Sequence, residues 1–175
     1  MERALEFCSV TIDDHLLTVT IERPEVMNAV HPPASRELSQ VFDEYEGDPN
    51  LWVGIVTGAG DKAFSAGNDL KYQASGGEMN WPETGIAGLT RRENRTKPLI
   101  AAVNGVAMGG GFTIALSCDL VVAAEHAMFS LPEPRFGLAA VNGGLARLPR
   151  QVGLKNAMGI ALTGRSVSAR EGLSM

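Results

Sequence analysis

KPLIAAVNGVAMGGGFTIALSCDLVVAAE, residues 97–125, carries the clearest pattern in the chain. Leu99 to Asn104 is an apolar run of strand length, Gly105 to Gly111 a glycine-rich turn, Phe112 to Cys118 an apolar helical stretch and Asp119 to Glu125 a further strand. Strand, glycine turn, helix and strand in alternation argue for an α/β protein with layered parallel pairing. Upstream, LWVGIVT (51–57) is apolar on both sides, which suits a strand covered on both faces. LLTVTIE (16–22) places Leu17, Val19 and Ile21 on one face, and FCSVTID (7–13) is its expected hairpin partner. RPEVMNAVHPP (23–33) reads as a loop. From Pro33 onward Leu38, Val41, Phe42 and Tyr45 recur at helical spacing, and Gly47-Asp48-Pro49 ends the helix. The glycine-rich stretch from Gly58 to Gly85 reads as a long irregular loop, a class more often functional than merely connecting. Residues 1–175 read as one domain without a visible internal repeat.

Composition narrows the function classes. The 175 residues are 45% hydrophobic and 20% charged, a globular balance. The longest apolar stretches, Leu99 to Val103 and Leu120 to Ala124, are far shorter than the roughly 20 residues that cross a bilayer, so no membrane span is expected. A net charge of −5 offers no global field for nucleic acid or anionic lipid. Cys8 and Cys118 have no CxxC spacing and no ligand-spaced histidines, which suggests neither a disulfide framework nor a metal site. MERALEF lacks the features of a signal or transit peptide, and a cytoplasmic location is expected.

The strongest local feature is Met108-Gly109-Gly110-Gly111 between a strand and a helix. Consecutive glycines leave backbone N–H groups unshielded, and the helix that follows directs its positive end at them. The alternative is close packing of strand on helix. Phe112-Thr113 after the last glycine does not fit a nucleoside triphosphate loop, GVAMGGG does not fit a dinucleotide fingerprint, and AFSAG around Ser65 does not fit a nucleophile elbow. A second turn exposes backbone at Ala66-Gly67-Asn68. Two donors on separate loops are what a thioester carbonyl needs when it gains negative charge, whereas SAGND alone would be read as an Asx-stabilised turn.

At this point IERPEVMNAV, GAGDKAFSAGNDLK, KPLIAAVNGVAMGGGF, CDLVVAAEHAMFSLPEPRFGL and GGLARLPRQVGLKNAMGIALTGRSVSA, in that order, resemble the enoyl-CoA hydratase/isomerase family, the crotonases. FSAGNDLK, AGLT and LPEPRFG are most similar to its carnitinyl-CoA dehydratase-like branch. The resemblance implies a spiral of ββα units and an acyl-CoA or enoyl-CoA substrate. It implies an oxyanion hole from the N–H groups of Asn68 and Gly110. It places Ala66, Asn68, Asp69, Leu70, Lys71, Gly110 and Val26 at the CoA moiety; for Val26 the alternative is loop packing. CoA would be carried as part of the substrate, with no separate cofactor and no metal. Family members are usually trimers or dimers of trimers, and they are longer than this chain. The expectation is therefore a spiral core without the C-terminal helical trimerisation region.

Hydratases of the family use two glutamates, because water addition needs both water activation and protonation of the α-carbon. By motif position the second is Glu133. Leu131, Pro132 and Phe136 around it would form an apolar surround that raises its pKa; the alternative is an exposed loop glutamate beside Arg135. The first position falls on Thr113, which can hold a water or hydroxyl but is no carboxylate base. The aspartate of dienoyl-CoA isomerases would fall on Val141, beside Asn142. A single carboxylate suits an isomerase, or a slow hydratase in which Thr113 positions water and Glu133 is both acid and base. A CoA-binding pseudoenzyme is the alternative from another class. His15, His31 and His126 read as surface or loop residues, and Arg91, Arg92, Arg95 and Lys97 as a solvated helical face. Trp52 reads as core packing and Trp81 as part of the loop, residues 72–88, that sets acyl specificity.

Overall fold

A computed structural model describes residues 2–93 and 95–175. Among them lie ten strands: β1 (Glu2–Ala4), β2 (Cys8–Asp13), β3 (Leu16–Ile21), β4 (Val53–Gly58), β5 (Ala63–Ser65), β6 (Leu99–Val103), β7 (Val106–Met108), β8 (Leu120–Ala123), β9 (Met128–Ser130) and β10 (Ser166–Ser168). The α-helices are α1 (Pro32–Gly47), α2 (Leu70–Ala74), α3 (Gly110–Ser117), α4 (Gly144–Val152), α5 (Leu154–Thr163) and α6 (Ala169–Leu173). A six-stranded sheet runs β1-β2-β3-β4-β6-β8 and a four-stranded sheet runs β10-β9-β7-β5. The FCSVTID and LLTVTIE segments form the antiparallel pair, with Cys8 opposite Ile21, and from β3 onward the large sheet is parallel.

Each turn of the chain places one strand in the large sheet, one in the small sheet and then a helix: β4-β5-α2, β6-β7-α3 and β8-β9-α4. This is the expected spiral of ββα units. The second strand of each unit, however, was not visible in the sequence. GVAMGGG read as a turn, yet Val106–Met108 is a strand paired with Val106 on Met128 and Ala107 on Ser65. A three-residue strand is too short to show period-two alternation, and its partners lie far away in sequence. The corner between the sheets is tight. Asn104 donates through Nδ2 to the Gly58 and Gly60 carbonyls, both at 2.7 Å.

Helix α1 begins on Pro32, whose fixed φ suits a first turn, with the His31 imidazole accepting from Ala34 N–H at 3.2 Å. Its inner face buries Leu38, Val41, Phe42 and Tyr45, as the spacing predicts. Each contributes about 1.5–3 kcal/mol through area removed from water. Tyr45 also donates its hydroxyl to the Pro98 carbonyl at 2.9 Å, locking the helix to the start of β6. Leu17, Val19 and Ile21 are buried on one face of β3.

Several expectations need correction. In β4 only one face is fully buried, the other being half-covered. Strand β8 ends the large sheet, and its Leu120, Val121 and Val122 side chains are exposed. The segment with Arg91, Arg92, Arg95 and Lys97 is not a solvated helical face: Arg92 is buried against α1, bonding Asp43 Oδ1 at 2.6 Å and the Ser39 carbonyl at 2.8 Å. Lys97 donates to the Tyr45 carbonyl at 2.6 Å. Trp52 is exposed and stacked on His15 with ring centres 3.5 Å apart, and His31 is buried. Cys8 and Cys118 are buried free thiols. No helix among the described residues is long and apolar enough to cross a membrane.

Candidate active site

Two glycine loops meet in this fold. The first follows β5. Ser65 donates its hydroxyl to the Asn28 carbonyl at 2.8 Å and accepts from Gly67 N–H at 3.1 Å. Gly67, at φ +87, turns the chain so that Val30 N–H reaches its carbonyl at 2.7 Å, while Asp69 N–H reaches the Val30 carbonyl at 3.4 Å. In a parallel bridge the flanking residues carry these bonds, so the N–H of the central residue, Asn68, points to the opposite side.

The second loop follows β7. Gly109 occupies φ 54, ψ −119, a conformation favouring glycine, and its N–H is taken by the Ser130 carbonyl at 2.9 Å. Gly110 is the first residue of α3. Helical bonding starts with Thr113 N–H on the Gly109 carbonyl at 3.0 Å, so Gly110 N–H lies outside the helical ladder at the positive end of the helix. The two main chains touch: a Cβ on Gly67 would lie 2.6 Å from Gly110 N, and one on Gly110 would lie 3.4 Å from Asn68 N. A Cβ on Gly111 would overlap the Ser65 carbonyl. The absence of side chains is what lets the two loops approach so closely. Ile86, from the turn Ile86–Gly88, forms an apolar wall beside Gly110.

Glu133 opens a short turn, Glu133–Phe136, after β9. Its Oε1 would lie 3.3 Å from a Cβ on Gly109, so the carboxyl stands against the second glycine loop. Burial pushes its pKa above the ordinary carboxylate range, against a smaller lowering by its own backbone N–H. Among the described residues only three buried side-chain polar atoms lack a hydrogen-bond partner: Glu133 Oε2, Asn68 Oδ1 and Arg95 Nη1. Two of the three belong to this site, and such atoms in a folded protein call for a reason. The expected apolar surround is only partly present. Leu131 is buried, but Phe136 is 65% exposed and does not shield the carboxyl.

Thr113 lies one turn into α3, buried, with its hydroxyl donating to the Gly109 carbonyl at 3.1 Å. Its oxygen therefore faces any further partner as an acceptor. Val141 is 72% exposed, and Asn142 accepts from Arg91 at 3.2 Å. Of the residues expected at CoA, Val26 and Ala66 are half-buried neighbours joined through Met27, whose carbonyl accepts from Ala66 N–H at 2.9 Å. Leu70 and Lys71 are exposed. Asp69 is buried with both carboxylate oxygens engaged: Oδ1 caps α2 at Tyr72 N–H, 3.0 Å, and Oδ2 pairs with Arg23 at 2.8 Å. Burial alone would raise the Asp69 pKa, but the Tyr72 N–H and the Arg23 guanidinium hold it below the usual range.

Sequence reasoning missed the turn that carries this loop. Asn28 is fully buried at φ 52 and donates through Nδ2 to the Ala59 and Ala63 carbonyls at 3.0 and 2.7 Å. An asparagine inside a loop, tolerant of left-handed backbone, was the available signal. An apolar cavity of about 620 Å³, lined by Phe112, Leu116, Phe129, Leu148, Ile160 and Leu173, contains none of the donor-loop residues. The site is thus recognised by its chemistry and not by cavity size.

The profile of a family described as Enoyl-CoA hydratase/isomerase matches residues 11–175. A carnitinyl-CoA dehydratase of Escherichia coli K12 is 42% identical over 170 residues, which are 96% of this chain and 65% of that protein. The chain therefore spans about two thirds of the length of the curated relatives it matches. Among solved structures, carnitinyl-CoA hydratase from Mycobacterium avium superposes with a TM-score of 0.93 at 40% identity, over 98% of this chain and 66% of its own. Enoyl-CoA hydratase from Mycobacterium tuberculosis H37Rv superposes with a TM-score of 0.90 at 42% identity, over 96% of this chain and 66% of its own.

Proposed function

The chain belongs to the enoyl-CoA hydratase/isomerase family, and from that premise we propose that it moves a proton at the α-carbon of an acyl-CoA thioester, with Glu133 as the only carboxylate involved. The observation that carries the proposal is the half-buried Glu133 carboxyl, with Oε2 buried and unpartnered, standing against the Gly109–Gly111 loop where that loop meets the Gly67–Asn68 turn. With the thioester oxygen between those N–H groups, Glu133 takes the proton from C2, and the electron pair moves through the C1–C2 bond onto the oxygen. Removing one such donor typically costs about 10²- to 10³-fold in rate. From a 3-enoyl thioester the proton returns at C4, shifting the double bond. From a 3-hydroxyacyl thioester it goes to the departing hydroxyl, which leaves as water. The second outcome is supported by the dehydratase and hydratase names of the relatives, the first by the threonine at position 113.

CoA enters as part of the substrate. Val26, Ala66, Leu70 and Lys71 flank the donor loop, and the exposed Lys71 ammonium suits a phosphate. Asp69, fully engaged within the chain, serves that segment as a tie. For a chain of the relatives' full length, the family resemblance supports a homotrimer or hexamer in a cytoplasmic setting.

The test incubates the protein with 3-enoyl-, 2-enoyl- and 3-hydroxyacyl-CoA. Turnover of one or more is expected, falling about 10³-fold or more in Glu133→Gln. Unchanged rates in that variant overturn the assignment of Glu133. A second reading, a CoA-binding protein without turnover, is supported by the Thr113 hydroxyl already bonded to the Gly109 carbonyl. It is the outcome if none of the three substrates reacts while CoA ligands still bind in calorimetry.

A further inference from the structure

The geometry points to Arg23 as a positioning residue of the oxyanion hole, its guanidinium tying Ala29 to Asp69 and thereby setting the direction of the Asn68 N–H. This rests on the thioester reading above. Nη1 donates to the Ala29 carbonyl and Nη2 to Asp69 Oδ2 at 2.8 Å, a fork that only arginine presents. The Arg23 and Asp69 side chains are 12% and 6% exposed. With both terminal nitrogens engaged and little surface open, Arg23 is poorly placed to be a direct phosphate ligand.

A buried ion pair contributes little net stability compared with apolar groups of the same shape, and its best-attested use is to fix one arrangement of the chain. Here geometry needs holding. Met27 and Asn28 are consecutive non-glycine residues in the left-handed region, at φ 57 and 52, which local sterics oppose. Arg23 closes this turn with its main chain as well: its N–H donates to Asn28 Oδ1 at 3.0 Å and its carbonyl accepts from Asn28 N–H at 2.8 Å. Asn28 then binds the start of β5, upstream of the donor, and Arg23 binds Asp69, directly downstream. Asn68 is thus suspended between two attachments to one strained turn. The Gly110 backbone is set instead by its glycine neighbours and the start of α3.

The experiment binds but-2-enoyl-CoA, labelled with ¹³C at the thioester carbonyl, and reads the carbonyl stretch by infrared difference spectroscopy. In the unaltered protein the band moves to lower frequency than in water, since two N–H donors polarise the carbonyl. In Arg23→Gln the ligand is expected to bind within a few-fold of the original affinity while most of that shift is lost. Where turnover is measurable, kcat falls up to about 10²-fold with KM little changed, the scale of a displacement near 1 Å. Arg23→Lys, which keeps the charge beside Asp69 but not the fork, falls between. Asp69→Asn, which keeps an acceptor for Tyr72 N–H, moves the band in the same direction and serves if Arg23→Gln does not fold. A full shift and full kcat in Arg23→Gln, with only a lowered melting temperature, overturn the inference and reduce Arg23 to a structural role. Absence of acyl-CoA binding by the unaltered protein overturns the thioester reading itself, and the positioning role with it.

Discussion

The loops that carry Asn68 and Gly110, the two N–H donors of the proposed oxyanion hole, are held by opposite means. Around Gly110 the geometry comes from missing side chains: Gly109 takes a backbone conformation favouring glycine, Gly111 sits against the Ser65 carbonyl, and the helix aligns the donor. Around Asn68 it comes from side chains that are present: Ser65, Asn28, Arg23 and Asp69 form a connected set of hydrogen bonds and one ion pair. The first loop is therefore intolerant of additions and the second of deletions. Substitutions that add a methyl to one and remove a polar group from the other separate the two cases.

The largest effect is expected for Gly111→Ala. The new Cβ would occupy the space of the Ser65 carbonyl, and β5 is held in place by its pairing with β7. A loss above about 3 kcal/mol, seen as insoluble protein or a collapsed thermal transition, is the outcome to check. A stable, active Gly111→Ala would mean that the loops do not touch as described.

Next comes Asn28→Ala. It deletes the acceptor of Arg23 N–H and the donor to two carbonyls, leaving buried polar groups without partners. Unfolding by urea should show a loss of about 2–4 kcal/mol. Activity per folded molecule should fall too, because the Asn68 loop loses its upstream attachment.

The smallest effect is in the pH dependence, where two carboxylates of the site act in opposite directions. Asp69 has a lowered folded pKa, so its contribution is present above the unfolded value and is lost as pH falls through the folded one. Asp69→Asn should flatten that part of the acid limb. Glu133 has a raised folded pKa, so stability declines as pH rises from the unfolded to the folded value and stays lower beyond it. Glu133→Gln should therefore melt slightly higher than the unaltered protein at neutral pH, by about a few degrees at most. Melting curves between pH 3 and pH 8 check both signs; a lower melting temperature for Glu133→Gln would show that burial does not oppose its charge.

Legibility followed the range of the interaction concerned. Leu17, Val19 and Ile21, and the inner face of α1, were readable because side-chain periodicity reports a buried face directly. The glycine triplet was readable because the conformation at Gly109 demands a particular residue type. The small sheet was not, since three-residue strands carry no period and their ladder partners come from other turns of the spiral. Arg92 looked like a surface charge until Asp43 and Ser39 of α1 were seen around it, about fifty positions away. Phe136 looked like a cover for Glu133 until the turn after β9 directed it to solvent.

Residue order alone points to the α/β class, the two glycine loops, the resemblance carried by five ordered motifs, and Glu133 as the single carboxylate at the positions where the family's acids would fall. Those depend on residue types and short spacings. It took the packed chain to show that the Asn68 and Gly110 loops touch, that Asp69 is engaged by Arg23, and that one Glu133 carboxyl oxygen, Oε2, lies buried without a partner. Each of these depends on the crossing between two sheets, where chain segments tens of residues apart are brought within a hydrogen bond of one another. No pattern along the chain encodes such a distance.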